Sequence, residues 1–276
     1  MTYKTILVHV DNGKYCPARV DMAVRLARRF DAHLVGLHAL TALRLPAYAV
    51  AEAGATLIEA QRTIAREQAT RAERVFRDAT ESAGLANIEW RVAVEDAVDA
   101  TTLHARYADL VVLGQPRAND GSAVEPDFPE RVTLGAGRPV LMVPYAGTFE
   151  TVGRRVLVAW DARREATRAV TDAIPLLREA EQVNVVVFNP EGTAHGAMPG
   201  ADIGLYLARH GVRVDVAYHR ANDIDVGNQL LSRVADLGAD LIVMGAYGHS
   251  RMRELIMGGA TRTVLQSMTA PVLLSH

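Results

Sequence analysis

Apolar residues along the chain fall into two patterns that alternate with each other. Short continuous runs of Val, Ile and Leu, such as residues 6–8 and 110–113, are typical of strands buried on both faces of a parallel sheet. The segments between them carry apolar residues at helical spacing, which predicts an open α/β architecture with helices on both faces of the sheet. The predicted strands lie near 4–10, 33–38, 88–94, 109–114, 139–143, 155–160, 183–188, 212–218, 240–244 and 271–275, and helices of the first half lie near 17–30, 57–83, 96–107 and 128–136.

The second half of the chain repeats the pattern of the first. The recurring strands indicate two duplicated units of five strands, which we place at 1–147 and 153–276. The first strands are offset by 150 residues and the fourth strands by 131, so the first unit is about 19 residues longer, a surplus that we place around 43–61. The matching segments are 6–11 with 156–161, 108–114 with 239–245, and 138–144 with 270–276.

A loop rich in glycine follows the predicted strand near 240–244. Gly245 and Gly248 precede a nine-residue spacer, which ends at Gly258 and Gly259. Glycines leave backbone N–H groups accessible, and a helix that begins at Gly258 directs the positive end of its dipole towards the loop. This layout predicts a phosphate-binding loop, with an ordinary turn as the alternative. Neither the G-x-x-x-x-G-K-[ST] nor the G-x-G-x-x-G phosphate motif occurs in the chain.

These residues resemble the universal stress protein family, whose nucleotide-binding members carry G-2x-G-9x-G-[ST] after the fourth strand. Gly245, Gly248 and Gly258 match the three glycines, whereas Gly259 stands at the Ser/Thr position and lacks its hydroxyl. Thr261 lies two residues further on and could substitute. The resemblance implies the strand order 3-2-1-4-5 in each unit. In such a sheet, ligands bind beyond the carboxyl ends of the first and fourth strands, where the strand order reverses.

The resemblance also implies the ligand, which is ATP with Mg²⁺ bridging its phosphates. In this arrangement Asp161 lies near the ribose hydroxyls and the backbone around Val187 lies near the adenine. The loop 245–261 surrounds the phosphates, and His249 could contact a phosphate or the metal. The residues alone leave another role open for Asp161, which is to cap the helix that starts near Arg163.

The first unit carries bulky or charged residues where the second unit has glycines. A shift of 131 residues aligns Arg117 with Gly248, and it aligns Asp127 and Phe128 with Gly258 and Gly259. A carboxylate at the helix N-terminus satisfies the helix dipole with the protein's own charge and repels a phosphate. We therefore expect the second unit to bind nucleotide and the first not to bind it.

Other chemical motifs have little support in the sequence. There is no G-x-S-x-G motif, and Cys16 has no base assigned to it by the sequence. The histidines lack the spacing of zinc ligands, and we expect His9 and His38, on predicted strands, to be buried imidazoles with satisfied hydrogen bonds. The sequence therefore identifies no catalytic residue.

Composition narrows the class of protein further. The net charge of −2 and the pI near 6.5 provide no basic surface for nucleic acid or an anionic membrane. One cysteine fits a reducing compartment, and no apolar run approaches the length of a membrane span. We expect a cytoplasmic protein.

The sequence and the resemblance together predict an ATP-binding sensor or regulator of the stress response. The alternatives are a nucleotide-free interaction scaffold of the same fold and a slow ATP hydrolase. We further expect the two units to pair through their last strands, 140–143 and 272–275, because each would otherwise leave an exposed sheet edge. Pairing of these edges between two chains in a homodimer is the alternative.

Overall fold

The continuous apolar runs form strands whose side chains are buried, and the periodic segments form helices. Both belong to two compact units, one from Tyr3–Ala136 and the other from Gly137–His276. The predicted α/β class with mostly parallel strands is confirmed. The computed structural model describes residues 2–40, 47–117, 119–122, 124–188, 199–219, 225–247 and 259–276, with residues 47–57 described by their backbone alone.

The first unit contains four parallel strands in the order β3-β2-β1-β4. This is the predicted order for these four strands. Helix α2 is longer than the helix predicted near 57–83, because it begins ten residues earlier, within the segment where we placed the surplus. The elements are β1 (Thr5–His9), α1 (Cys16–Phe30), β2 (His33–Ala39), α2 (Ala47–Ser82), β3 (Ile88–Ala93), α3 (Ala97–Ala105), β4 (Leu110–Gly114) and α4 (Phe128–Gly135).

The second unit contains six strands in the order β5-β10-β9-β6-β7-β8. The five strands of the second repeat follow the predicted order 3-2-1-4-5, and all of them are parallel. The elements are β5 (Val140–Val143), β6 (Arg155–Ala159), α5 (Arg164–Glu179), β7 (Gln182–Phe188), α6 (Ala201–Arg209), β8 (Val214–His219), α7 (Val226–Leu237), β9 (Leu241–Gly245), α8 (Ala260–Ser267) and β10 (Val272–Ser275).

An aspartate before the fourth strand of each repeat holds the start of the first strand. The Asp109 carboxylate accepts hydrogen bonds from the backbone N–H groups of Lys4 and Thr5, at 2.7 and 3.0 Å. The Asp240 carboxylate accepts three, from the backbone of residues 153–155, at 2.9 to 3.1 Å. Hydrogen bonds to a charged acceptor are stronger than neutral ones, so these contacts fix the register of the central strand pair.

Strand β5 pairs antiparallel with β10, and Leu141 lies opposite Leu273. Because of this pairing, the compact units divide between residues 136 and 137 rather than within the predicted join near 145–153. The domain boundaries 1–147 and 153–276 describe the sequence repeat, and they stay a prediction.

Candidate functional site

The candidate site of the second repeat lies where strands β6 and β9 end side by side. Their parallel register aligns Leu157 with Ile242 and Val158 with Val243. Asp161 follows the end of β6 by two residues, and Gly245 is the last residue of β9. The order of strands reverses at this pair, and such a reversal leaves a crevice at the carboxyl edge of a sheet.

Asp161 forms the turn that leads into helix α5. One carboxylate oxygen accepts the backbone N–H of Arg163 at 3.0 Å, and the other lies 3.8 Å from the Arg163 Nε. The helix begins one residue later, at Arg164, and Arg163 is its N-cap. Asp161 therefore braces the turn before the helix rather than capping its first N–H groups. Its side chain remains 55% exposed, which leaves the carboxylate accessible to a ligand hydroxyl.

Gly245 allows helix α5 to lie directly against the end of β9. A Cβ atom added at Gly245 would lie 2.6 Å from the backbone nitrogen of Ala166 and 2.7 Å from the carbonyl carbon of Glu165. No larger residue fits at this separation without moving the helix. Beyond the strand, the N–H of Ala246 donates to the Ser275 carbonyl at 2.9 Å, which keeps this edge of the loop on the sheet.

The two ends of the glycine loop meet at Thr261. The backbone N–H of Tyr247, which has a φ of 55°, points to the Thr261 hydroxyl oxygen at 3.5 Å. Gly259 is the N-cap of helix α8 and makes no side-chain cap, because it has no side chain. Among the residues that the structure describes, none has an atom within 4 Å of a Cβ built at Gly259. The helix begins at Ala260, two residues later than the predicted start at Gly258.

The remaining predicted site residues are only partly described. Val187 lies near the carboxyl end of β7, and its side chain is fully buried, so only its backbone could face an adenine. Gly248, His249 and Gly258 lie outside the described residues, as does most of the segment 189–200 that follows β7. The part of the chain that the structure describes holds no cluster of three or more His, Cys, Asp or Glu side chains suited to a metal.

The equivalent crevice of the first repeat is filled by Arg19. Its Nη2 lies 3.0 Å from the Asp11 carboxylate, and the side chains are 7% and 9% exposed. The other Asp11 oxygen accepts the N–H of Gly13 at 2.9 Å. A Cβ added at Gly114, the last residue of β4, would lie 2.4 Å from the Arg19 Nη1. The guanidinium therefore spans the ends of the two central strands, β1 and β4.

The electrostatics of this buried pair keep both groups charged. Burial alone would raise the pKa of Asp11, but the Arg19 guanidinium outweighs it, helped by His9 and the Gly13 N–H, and the pKa falls to about 2. Burial opposes the charge of Arg19, yet Asp11 raises the pKa of the guanidinium above its ordinary value. Because both charges are retained and lie in contact, the first crevice carries an internally neutralised ion pair.

Two histidines and the cysteine surround this pair. Burial lowers the pKa of His9 to about 3, and its ring packs on Phe128 with centroids 4.7 Å apart. Among the residues that the structure describes, the His9 Nδ1 has no hydrogen-bond partner, and it lies 3.6 Å from the Asp11 carboxylate, so the expectation of a satisfied imidazole stays a prediction for His9. It fits His38, whose Nδ1 is 2.7 Å from the Val10 carbonyl. Burial raises the pKa of the Cys16 thiol, which favours a packing role for this residue.

The residues that close the first crevice differ from those that the sequence suggested. Phe128 is buried, as a residue that fills the crevice must be. Arg117 and Asp127 are exposed, and the Arg117 guanidinium lies 5.9 Å from the centre of the Tyr15 ring. The main occupant, Arg19, was missed. The repeat offset of 150 residues aligns Arg19 with Ala169 and so marks this position as different between the repeats, but it does not show where the side chain points.

The fold and the crevices define a pair of open parallel α/β units of the doubly wound type, each with a switch point between its first and fourth strands. The chain belongs to the universal stress protein family, whose profile matches residues 2–144 and 153–276. Among the residues that the structure describes, no helix is long and apolar enough to cross a membrane.

Solved structures of other proteins share this fold. A universal stress protein from Archaeoglobus fulgidus has a crystal structure that matches with a TM-score of 0.74 at 16% identity, over 98% of this chain and 95% of that one. A functionally unknown protein from Pseudomonas aeruginosa PAO1 matches with a TM-score of 0.61 at 15% identity, over 99% and 92% of the two chains. At these identities the likeness shows the fold alone.

A curated relative, the universal stress protein Slr1230 of Synechocystis, is 29% identical over 148 residues. That match covers 52% of this chain and 49% of the relative, so the alignment spans about half of each protein.

Proposed function

We propose that the second repeat binds ATP, with Mg²⁺ held by the phosphate oxygens, and that the chain is an ATP-binding sensor or regulator of the stress response. The observation that carries the proposal is the difference between the two crevices. Asp161 is half-exposed, with one carboxylate oxygen uncommitted to any backbone group. Its counterpart Asp11 is buried against an arginine. A single repeat thus presents an accessible carboxylate at its switch point.

The residues of the second crevice fit the parts of a nucleotide. A carboxylate accepts hydrogen bonds from vicinal ribose hydroxyls, and Asp161 stands at the strand end where these hydroxyls would lie. No described residue comes within 4 Å of a Cβ built at Gly259, the N-cap of helix α8, and helix N-termini favour phosphate groups. The Thr261 hydroxyl oxygen lies 3.5 Å from the Tyr247 N–H, and a hydroxyl that accepts from a backbone group can still donate its hydrogen to a phosphate oxygen. The glycine motif of the sequence supplies the rest of the loop.

Calorimetric titration of the full chain with MgATP tests the proposal, and the informative variant is Asp161→Ala. Loss of the carboxylate should weaken binding at least tenfold, or about 1.4 kcal/mol, because hydrogen bonds to a charged acceptor are lost. Asp236→Ala is the matched control. Its carboxylate is 57% exposed and lies 3.3 Å from an arginine on the same unit, but it is on helix α7, and its loss should leave the affinity unchanged.

Mass spectrometry of small molecules released from the purified, denatured chain separates the alternatives. Release of an adenine nucleotide together with a calorimetric site supports the proposal. Absence of both would leave the nucleotide-free scaffold as the better description. Steady release of ADP from bound ATP would point to slow hydrolysis, which requires a positioned water and a charge-stabilising group near the γ-phosphate.

We also propose that the two repeats pair through their last strands within one chain. Support comes from the antiparallel register of β5 and β10, which runs from Val140 opposite Leu274 to Met142 opposite Val272. Both strands are fully buried along their length. A strand left unpaired at this place would expose apolar side chains and open backbone groups.

A further inference from the structure

The first repeat keeps the aspartate and the glycine that mark the crevice of the second repeat, yet it fills the space between them. Asp11 corresponds to Asp161 by the offset of 150 residues, and Gly114 corresponds to Gly245 by the offset of 131. In the first repeat a guanidinium lies between these two positions. The equivalent residue of the second repeat is Ala169, whose methyl group is buried and cannot reach either strand end.

We infer that Arg19 is an internal ligand of the first repeat, and that it prevents this crevice from taking a nucleotide by occupying the space at the switch point and engaging the Asp11 carboxylate. The inference rests on the proposed function, because it explains why one repeat and not the other is competent. It identifies one side chain of helix α1 as the obstacle at the switch point, in addition to the buried Phe128 at the start of helix α4.

Three observations support Arg19 as the decisive residue. Its side chain is almost fully buried, so it does not leave the crevice for solvent in this conformation. Its Nη1 lies against Gly114, where β4 ends, while its Nη2 lies against Asp11 beyond β1. Finally, contact with Asp11 raises the pKa of the Arg19 guanidinium despite its burial, so the buried cation and the carboxylate stabilise each other.

The ion pair also removes the chemical reason for a nucleotide to enter. A ribose needs a carboxylate whose oxygens are free to accept, and the Asp11 oxygens are used by Arg19 and the Gly13 N–H. A phosphate needs unbalanced positive charge, and the Arg19 charge is already balanced by Asp11 in direct contact. The nearby His9 adds no charge at neutral pH because its imidazole is neutral.

The test is the number of MgATP equivalents bound by the full chain in calorimetry, compared between wild type and Arg19→Ala. The variant reproduces the residue of the second repeat, so binding should rise from one equivalent to two. Arg19→Lys keeps a cation beside Asp11 and should stay at one equivalent. Adding Asp11→Asn to Arg19→Ala should remove the gained equivalent again, which assigns it to the first repeat.

A folded Arg19→Ala chain, judged by its circular dichroism melt, that binds no more MgATP than wild type would overturn the inference. If this variant does not fold, Arg19→Met replaces it. Methionine fills the helix-facing volume but is too short to reach Gly114, and the same gain is expected. Failure of both variants to fold would show that the pair is a structural requirement of the core, and this result also overturns the inference.

The two proposals fail separately. Wild type that binds no MgATP refutes the proposed function of the second repeat. The inference about Arg19 is judged by the difference between variant and wild type, whatever the wild-type value is. A gain of one equivalent on a wild-type background of zero would support the inference and contradict the proposed function.

Discussion

At the residue scale, equivalent aspartates of the two repeats sit in opposite environments. Asp11 is buried, and its partners lower its pKa to about 2. Asp161 is half-exposed and lies 3.8 Å from the Arg163 side chain. The same residue type at the same point of the fold is thus used for an internal ion pair in one repeat and left accessible in the other. At the equivalent helix positions the first repeat has Arg19, which contacts Asp11, and the second repeat has Ala169.

The buried cluster around Arg19 should make the first unit sensitive to acid. The pKa of His9 is about 3 in the folded chain against an ordinary value of 6.5, so between these values the unfolded chain binds a proton that the folded chain does not. Stability then falls as the pH falls below 6.5. His9 alone should lower the free energy of unfolding by about 2 kcal/mol between pH 7 and pH 5.

Denaturant unfolding followed by Trp90 fluorescence measures this loss, because Trp90 packs against Phe76 within the first unit. The depressed pKa of Asp11 acts in the same direction, but only below its ordinary value of 3.8. The His9→Gln variant should therefore show a weaker dependence on pH between 7 and 5. An unchanged dependence would mean that His9 is protonated in the folded chain.

At the element scale, two glycines of the second repeat serve different purposes. Gly245 is required by the close approach of helix α5 to β9, with 2.6 Å from a built Cβ to the nearest backbone atom. Gly259 has no neighbour within 4 Å of a built Cβ among the described residues, and its φ of −56° is one that any residue can adopt. One glycine is explained by packing, and the other leaves a helix start accessible.

The two glycines form a matched pair of substitutions. Gly245→Ala should destabilise the chain by about 1–3 kcal/mol, because the added methyl group forces the start of α5 away from the sheet. Gly259→Ala adds the same atoms and should leave the melting temperature nearly unchanged. Thermal melts of both variants, recorded side by side, check the prediction. Equal melting temperatures would show that α5 can shift at little cost.

How far the sequence predicts the fold can be judged from particular elements. The central strands were predictable because their apolar runs, such as Leu110–Gly114 and Leu241–Gly245, are continuous and recur at a fixed offset. The early start of α2 could not be predicted, because residues 47–57 are rich in alanine and have no clear helical spacing of apolar residues. Strand order came from the family resemblance, since periodicity does not specify which strands are neighbours.

The position of the candidate site could be predicted from the sequence, whereas the contact that Arg19 makes in the first crevice could not. Asp161 and Gly245 follow strands that do lie side by side, as expected from the order of strands. The glycine spacing predicts that residues in and after the loop that follows β4 close the first crevice. The main occupant comes instead from helix α1. A charged residue on a helix normally faces solvent, and only the fold shows that Arg19 points inwards to Asp11.

At the scale of the whole molecule, strand β5 belongs to the first repeat by sequence and to the second compact unit by its contacts. It lies beside β10, whose other neighbour is β9. Removing β5 would therefore turn β10 from an interior strand into an edge strand. Val272, Leu273 and Leu274 are fully buried in the intact chain and would lose their cover on that side.

A fragment of residues 153–276 should for this reason associate with itself. Its β10 edge offers unpaired backbone groups and apolar side chains, and the antiparallel register seen with β5 can form equally between two copies. A fragment of residues 137–276 retains β5 and is the matched control, expected to associate less because β10 keeps its partner strand. Sedimentation equilibrium of the two fragments distinguishes them. A monomeric 153–276 fragment would show that β10 tolerates exposure.

The covalent join between the repeats also raises the local concentration of β5 near its partner strand. Because a short join of residues 144–154 connects β5 to β6, β5 is present near β10 at an effective concentration that free copies in solution do not reach. Pairing within the chain thus competes against pairing between chains. Lengthening the join with flexible residues lowers this effective concentration and weakens pairing within the chain. Longer insertions should therefore favour exchange of β5 between molecules.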